Sequence, residues 1–498
     1  MANTSKLALQ LDRALKASLF LFAFAAPISI AATQTAWSLA LLFWIIRAFV
    51  VKPRLKTNGL DLAVIAFVGL TALSSAFSYE PQVSLRKLVS VSLVTIVYLF
   101  AGAVRDAKML KRIVTVILIS GVFTVAYTLG TLAIGKNLKV RHLTSESPLR
   151  TAGVQENDTI LTANGKSVNS PDELADAVNN ASVDGVAKLK IYRYEFLLDY
   201  DLPVSSLSSS AEASTKFGIT DWSRGRDTRA AGFYGHYTTY AEALQMILSL
   251  SFGLLIIAPG GFFSRNRLLL AVASASFCIA LFLTVTRASC AGFLVSAAAM
   301  ILIGTTKRTV LICLACAIPI ALAGIFYLQQ KRNVSFIDTN DGSTTWRMTV
   351  WREGFGVLIS NPRHLAVGIG MDSLKTHWQD WHMFDNGNLP MGHMHSTPLQ
   401  LAFERGVPVL IVWIVWMFLY IRMLWRGFRR KTLGWFERGV LLGALGGTLG
   451  FLAGGLVHYN WGDSEVAMIF YLLMGLSLAV LRGRHGVEPT QAETDPAI

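Results

Sequence analysis

Charge is what this sequence has least of. Of its 498 residues only 15% are Asp, Glu, Lys or Arg, against roughly 25% in an ordinary soluble domain, while 53% are hydrophobic. Together with a mean hydropathy of +0.48, this excludes a soluble multidomain enzyme. Most of the chain has to lie in lipid, with its polar residues gathered into a few segments. Cysteine is scarce too. The four, Cys278, Cys290, Cys313 and Cys316, all fall in or at the ends of apolar runs. Cys313 and Cys316 are spaced C-x-x-C, yet neither a βαβ pattern nor a second pair accompanies them, which argues against a zinc or redox role. Acidic residues number 31 against 45 basic ones, a net charge of +14. In a membrane chain the placement of that excess reports topology, and no nucleic-acid partner is expected from it.

What is present is a series of apolar windows of about 20 residues. Twelve are expected, centred near Phe24, Phe43, Val68, Val94, Val122, Leu248, Phe277, Val295, Ile318, Ile414, Gly446 and Met474. The two termini and the short loops that follow even-numbered spans carry 23 of the 45 basic residues, including Arg422, Arg426, Arg429, Arg430 and Lys431. The positive-inside rule then puts both termini in the cytoplasm and the two long polar interruptions outside. Lys6, Arg13 and Lys16 ahead of an apolar stretch imitate a secretory signal, but a second span follows almost at once, so the first helix is read as uncleaved. A bacterial inner membrane is the expected location.

The expected organisation is therefore an all-α polytopic membrane protein with about twelve transmembrane helices, carrying a small α/β insert and a helical outer loop. Residues 1–135 form spans 1 to 5, 136–232 an outer insert, 233–328 spans 6 to 9, 329–405 an outer loop, 406–483 spans 10 to 12, and 484–498 an inner tail. Within the insert, Asn164-Gly165 reads as a tight hairpin turn. Ser170 with Glu173 reads as a capping box for a helix over 171–179. Ser147-Pro148, Ala152-Gly153-Val154, Asn157-Asp158-Thr159-Ile160, Asn164-Gly165-Lys166-Ser167-Val168 and the strand Lys188–Arg193 together resemble a PDZ domain of the periplasmic-protease type over about 140–200. Asn157 stands where that family usually has Gly. The resemblance implies a groove for a peptide C-terminus, near Ile134-Gly135-Lys136-Asn137; the alternative is a rigid insert whose groove its own chain fills.

The outer loop begins with an amphipathic stretch, Thr345 to Ser360, in which Arg347 and Arg352 interleave with tryptophans. It ends on His393-Met394-His395-Ser396-Thr397-Pro398-Leu399-Gln400-Leu401-Ala402-Phe403-Glu404-Arg405-Gly406. Arg229-Ala230-Ala231-Gly232 precedes the sixth span, and Thr286-Arg287-Ala288 sits in a loop of almost no length, where an intramembrane-edge charge is costly and usually functional. In order and shared outer location these stretches resemble the O-antigen ligase and polymerase superfamily of GT-C-type integral membrane glycosyltransferases. The resemblance implies transfer of a glycan from undecaprenyl diphosphate to a hydroxyl acceptor, the lipid A core or similar, without cofactor or metal and with inversion. His395 would be the catalytic base, and Arg229 and Arg287 would bind the diphosphate, for which arginine forks suit two or more negative charges. Arg347, Arg352, Glu404, Glu242, Tyr240 and His458 are supporting candidates on the same side of the membrane. Arg363-His364 depart from the family's Pro-Leu-x-Gly-x-Gly pattern. Within the superfamily, a polysaccharide polymerase or a protein O-oligosaccharyltransferase remains open. A zinc site at His377, His382, His393 and His395 and a secondary transporter are the rival classes; the transporter lacks support from internal repeats or midplane polar residues.

Overall fold

The computed structural model describes residues 2–51, 57–179, 185–193, 196–207, 212–225, 229–261, 263–306 and 342–483. The expected span near Ile318, with Cys313 and Cys316, lies outside the described residues. In chain order the helices are α1 (Ala2–Ala25), α2 (Ile30–Val51), α3 (Asp61–Ala76), α4 (Pro81–Val91), α5 (Thr95–Ala103), α6 (Ala107–Ile134), α7 (Pro148–Thr151), α8 (Pro171–Asn179), α9 (Ala213–Phe217), α10 (Tyr237–Ile257), α11 (Arg265–Leu283) and α12 (Arg287–Gly304). There follow α13 (Gly342–Ser360), α14 (Pro362–Val367), α15 (Leu374–His377), α16 (Met383–Asn386), α17 (Thr397–Arg405), α18 (Val407–Phe428), α19 (Trp435–Gly455) and α20 (Ser464–Arg482). Among the described residues nine helical stretches are long and apolar enough to cross a membrane, α4 and α5 counting as one, and α3 is a shorter apolar helix. This is a multi-pass membrane protein. The first apolar window is placed differently from the expectation: Phe24 lies at the end of α1 rather than at the middle of a span. Pro27 cannot continue a helical ladder, and Ser29 opens α2 by accepting from the Ala32 N–H at 3.3 Å. A hydropathy window sums over such a turn and cannot see it.

The chain divides into two compact units. One comprises Met1–Phe123, Phe233–Phe282 and Thr286–Ile498; the other comprises Thr124–Gly232 with Leu283–Val285. In the first, α19 is the hub, packing against α10, α12 and α18. Lipid gives helices no hydrophobic reason to associate, so close backbone approach has to supply the contact. A Cβ on Gly443 would come within 2.7 Å of Leu250 Cα, and one on Gly292 within 2.7 Å of the Gly450 carbonyl oxygen. Buried hydroxyl pairs, Ser249 with Ser296 at 2.7 Å and Ser251 with Ser274 at 2.8 Å, add interhelical hydrogen bonds.

The second unit holds a sheet of strands β1 (Lys136–Leu143), β2 (Thr159–Ala163), β3 (Lys166–Ser167), β4 (Val186–Arg193), β5 (Phe196–Pro203) and β6 (Ile219–Gly225). The order is β5-β4-β2-β1-β6, all antiparallel, with β3 on β2. Leu138, Val140, Ile160, Leu174, Leu189 and Ile191 fill its core. Asn164 and Gly165 both take positive φ, 49° and 77°, as the two central residues of a type I′ hairpin require. Asn157, the departure from the PDZ pattern, sits at φ 70°; asparagine is one of the few residues that tolerates this left-handed conformation in place of glycine. Arg193 forms a fork on Asp158, Nε to Oδ1 at 2.8 Å and Nη2 to Oδ2 at 2.7 Å, and so locks β4 to the turn before β2. The strand that follows Ile134-Gly135 is paired on both sides: β2 on one edge and β6 along the other. No peptide adds to β1 without displacing β6, because each backbone edge offers only one ladder.

Candidate active site

His395 lies in the short extended segment before α17, and that segment is fixed from several directions. The Met394 N–H donates to Gln400 Oε1 at 2.6 Å, and the Met394 carbonyl accepts from Trp351 Nε1 at 2.6 Å. Beyond it, the Thr397 N–H donates to the His458 carbonyl at 3.0 Å, and the Thr397 hydroxyl bonds Asn460 Oδ1 at 2.9 Å. Asn460 in turn donates to the Phe451 carbonyl of α19 at 2.7 Å. These bonds bring together residues some sixty positions apart in sequence and mount the His395 segment on the helix hub.

The result is a cluster of imidazoles. The His395 ring stands 4.2 Å from that of His393 and 6.1 Å from that of His458, centroid to centroid, with Trp346 edge-on at 4.9 Å. Tyr459 packs against His393 at 5.5 Å. His458 Nδ1 lies 3.2 Å from Glu242 Oε1 on α10, an arrangement in which a carboxyl group fixes an imidazole's orientation. Asp463 accepts from the Thr239 hydroxyl at 2.9 Å, and burial, with Glu242 nearby, pushes its pKa up to about 6. His395 is half-buried, and its backbone is at φ 44°, a conformation that few non-glycine residues adopt and that concentrates at functional sites. Burial, reinforced by His393, His458, Arg347 and His236, takes its pKa down to about 2; burial and Arg347 take that of His458 down to about 4. Both imidazoles are therefore neutral at pH 7, with a lone pair available to accept a proton.

The site residues expected from sequence divide clearly. His395, His458, Glu242 and Arg347 converge. Arg287 is the first residue of α12 and half-buried; the start of α12 packs on the end of α19 near Gly450 and Gly454, the helix whose following turn carries His458. Val285, two residues before it, is held at φ 53°, an outlier for a β-branched residue. Arg229 belongs to the second unit, where the neighbouring Ala230 N–H donates to the Leu283 carbonyl at 3.1 Å. Arg352 is exposed, and its five-residue offset from Arg347 puts it on another face of α13. Tyr240 is buried beside Tyr234, ring centroids 6.2 Å apart. Glu404 is buried as well; it accepts from the Asp372 N–H at 3.2 Å, and burial raises its pKa. That bond ties α17 to the segment between α14 and α15. Arg363 and His364 are structural too: Arg363 stacks over Tyr79 at 4.1 Å, and buried His364 bonds the Tyr79 hydroxyl at 2.8 Å and the Val357 carbonyl at 2.7 Å. His377 is engaged by Asp380 at 2.8 Å and Glu80 at 3.2 Å, and among the described residues no three His, Cys, Asp or Glu side chains converge as metal ligands. His393, weighed from sequence only as a possible zinc ligand, joins the cluster by its ring contact with His395. Trp346, Tyr459 and Asp463 enter it without having been singled out.

Residues 269–414 match the family model described as O-antigen ligase. The chain carries an O-antigen ligase domain. That match encloses Arg287, Arg347, Arg352, His395 and Glu404, and the ligase domain's partners Glu242 and His458 lie outside it. Residues 120–204 match the PDZ domain model, from within α6 to β5, so that β6 is added from beyond the matched stretch. No curated protein matches the chain. The O-antigen ligase match supports glycan transfer of the ligase or polymerase kind.

Proposed function

We propose that this protein is a lipid-linked oligosaccharide ligase of the bacterial inner membrane, with both termini cytoplasmic, transferring a glycan from undecaprenyl diphosphate to a hydroxyl of the lipid A core or a similar acceptor on the periplasmic face. The observation that carries the reading is the His395 imidazole, held at φ 44° and clustered with His393 and with His458, whose ring meets Glu242 at 3.2 Å. His395 takes the acceptor's proton as its oxygen attacks the anomeric carbon. The diphosphate leaves from the opposite face with inversion, its charge met by Arg287 and Arg229. Arg347 is a fixed cation beside the imidazoles, and Glu242 orients His458. An acceptor that is the growing glycan itself would make the same chemistry a polymerisation, and a hydroxyl on protein would make it O-oligosaccharyl transfer. The PDZ-like module serves as a docking element whose open edges are those of β5 and β6.

Purified protein in detergent, supplied with lipid-linked glycan and a hydroxyl acceptor, tests this reading against a transporter. Transfer is expected without added divalent ions and at an unchanged rate in EDTA, because arginines neutralise the leaving group. Loss of transfer in EDTA with rescue by zinc or magnesium would replace this mechanism by metal catalysis, and the absence of any transfer would favour the transporter.

A further inference from the structure

A cavity of about 240 Å³ lies in the first unit between α3, α4 and α20, separate from the imidazole cluster and divided from it by Tyr459. That volume is room for roughly eight waters. Phe67, Tyr459 and Trp461 form its apolar walls, and Arg405 lines it. Arg405 is only 5% exposed, and its Nε and Nη1 are buried without a hydrogen-bond partner among the described residues. A buried guanidinium with unspent donors is expensive. The acids nearby do not meet the demand: Asp372 is engaged by Lys87 at 2.7 Å and Lys375 at 3.3 Å, and Glu404 is taken by the Asp372 N–H. At the other side the cavity reaches Lys87, half-exposed, and Ser90, exposed on α4. Leu85 and Val89 of the same helix are exposed apolar residues, the surface a membrane helix turns to lipid. The cavity thus opens sideways, toward lipid, about two turns inside the loop end of α4.

We propose that this cavity binds the oxyanion of a lipid headgroup, a phosphate that enters between lipid and α4 past Lys87 and is met inside by Arg405. Arginine is suited to it because its planar fork grips phosphate and stays charged when buried. Lys87 at the mouth, which spends one of its three ammonium donors on Asp372, offers the others to the headgroup, and the acyl chains stay outside against Leu85 and Val89. The ligand is lipid-borne rather than free because the lining residues Lys87 and Ser90 lie on α4 beside the exposed apolar Leu85 and Val89. If the transferase reading holds, the site would seat the phosphorylated head of a membrane-anchored substrate one side chain away from the imidazoles; binding itself does not depend on that reading.

Native mass spectrometry of the purified full-length protein tests it, with phosphatidylglycerol, diacylglycerol and inorganic phosphate as probes. One phosphatidylglycerol is expected to remain bound at activation that strips the others. Its apparent affinity should fall at least tenfold in Arg405→Gln and in Ser90→Trp, and stay unchanged in the control Arg422→Gln. Ser90→Trp alters only an exposed position and keeps the test valid should Arg405→Gln fail to fold. Diacylglycerol should not compete. Equal retention in wild type and Ser90→Trp would overturn the proposal, and displacement by inorganic phosphate at equal concentration would overturn the lipid assignment. Neither result bears on whether glycan transfer occurs.

Discussion

Replacing His395 by alanine is expected to slow glycan transfer by about 10² to 10⁴, the range that loss of a general base removes, or roughly 3 to 5 kcal/mol of barrier. The protein should still insert and stay folded. Among the described residues His395 makes no side-chain hydrogen bond that holds the loop: the segment is fixed by Met394 and Thr397 on either side. The wild-type pH profile carries a second expectation. A pKa depressed to about 2 leaves the imidazole of the free protein neutral throughout the physiological range, so kcat/KM should not halve near pH 6.5 as it would for an unperturbed histidine. An imidazole so depressed is a weak base in the free protein; the bound diphosphate, a dense negative charge, restores its basicity when the acceptor proton has to move. The same depression has a stability consequence. The folded pKa lies below the unfolded value, so the contribution of the cluster to stability is complete above about pH 6.5 and declines as the pH falls toward the folded value. Full activity in His395→Ala would transfer the base assignment to His458, which has the carboxyl partner that His395 lacks.

Arg287→Lys keeps the charge and is nevertheless expected to lose about tenfold to a hundredfold in transfer. An ammonium is a point charge that cannot reproduce two parallel hydrogen bonds to a diphosphate, and a charge-assisted hydrogen bond lost at a desolvated site costs roughly 1.5 to 3 kcal/mol. Arg287 opens α12, where the unpaired N–H groups of the first turn and the helix dipole also favour an anion. The lysine variant keeps those backbone groups and loses only the fork, so the comparison isolates the guanidinium. Rates measured with saturating donor and with limiting donor separate binding from chemistry. A wild-type rate under both conditions would remove the phosphate assignment.

Hydropathy and charge placement made most of the fold legible, because a bilayer demands long apolar helices and little else explains them. A break between the first two spans was expected, but its place at Pro27 and Ser29 was not legible, since a window average blurs the boundary between two apolar helices. Nor was the place of β6. Its residues 219–225 come after a polar stretch and pair with β1, nearly eighty positions earlier, a non-local choice that alternation alone does not encode. In the site, motif order led to His395 and Arg287. Local rules fail at those same motifs, with φ 44° at His395 and φ 53° at Val285, as they tend to where function overrides propensity. Glu242 and His458 were candidates by side of the membrane only; their 3.2 Å contact needed three dimensions. Arg363-His364 read as a departure in acceptor geometry and turned out to be packing against Tyr79.

The central claim is a direct displacement with one base on the face opposite the leaving diphosphate. Its most direct measurement is the anomeric configuration of the product, read by NMR from a single turnover of purified protein with an undecaprenyl diphosphate-linked glycan of defined anomer. One inverted linkage per lipid diphosphate released is expected; a retained configuration would rule out a direct displacement.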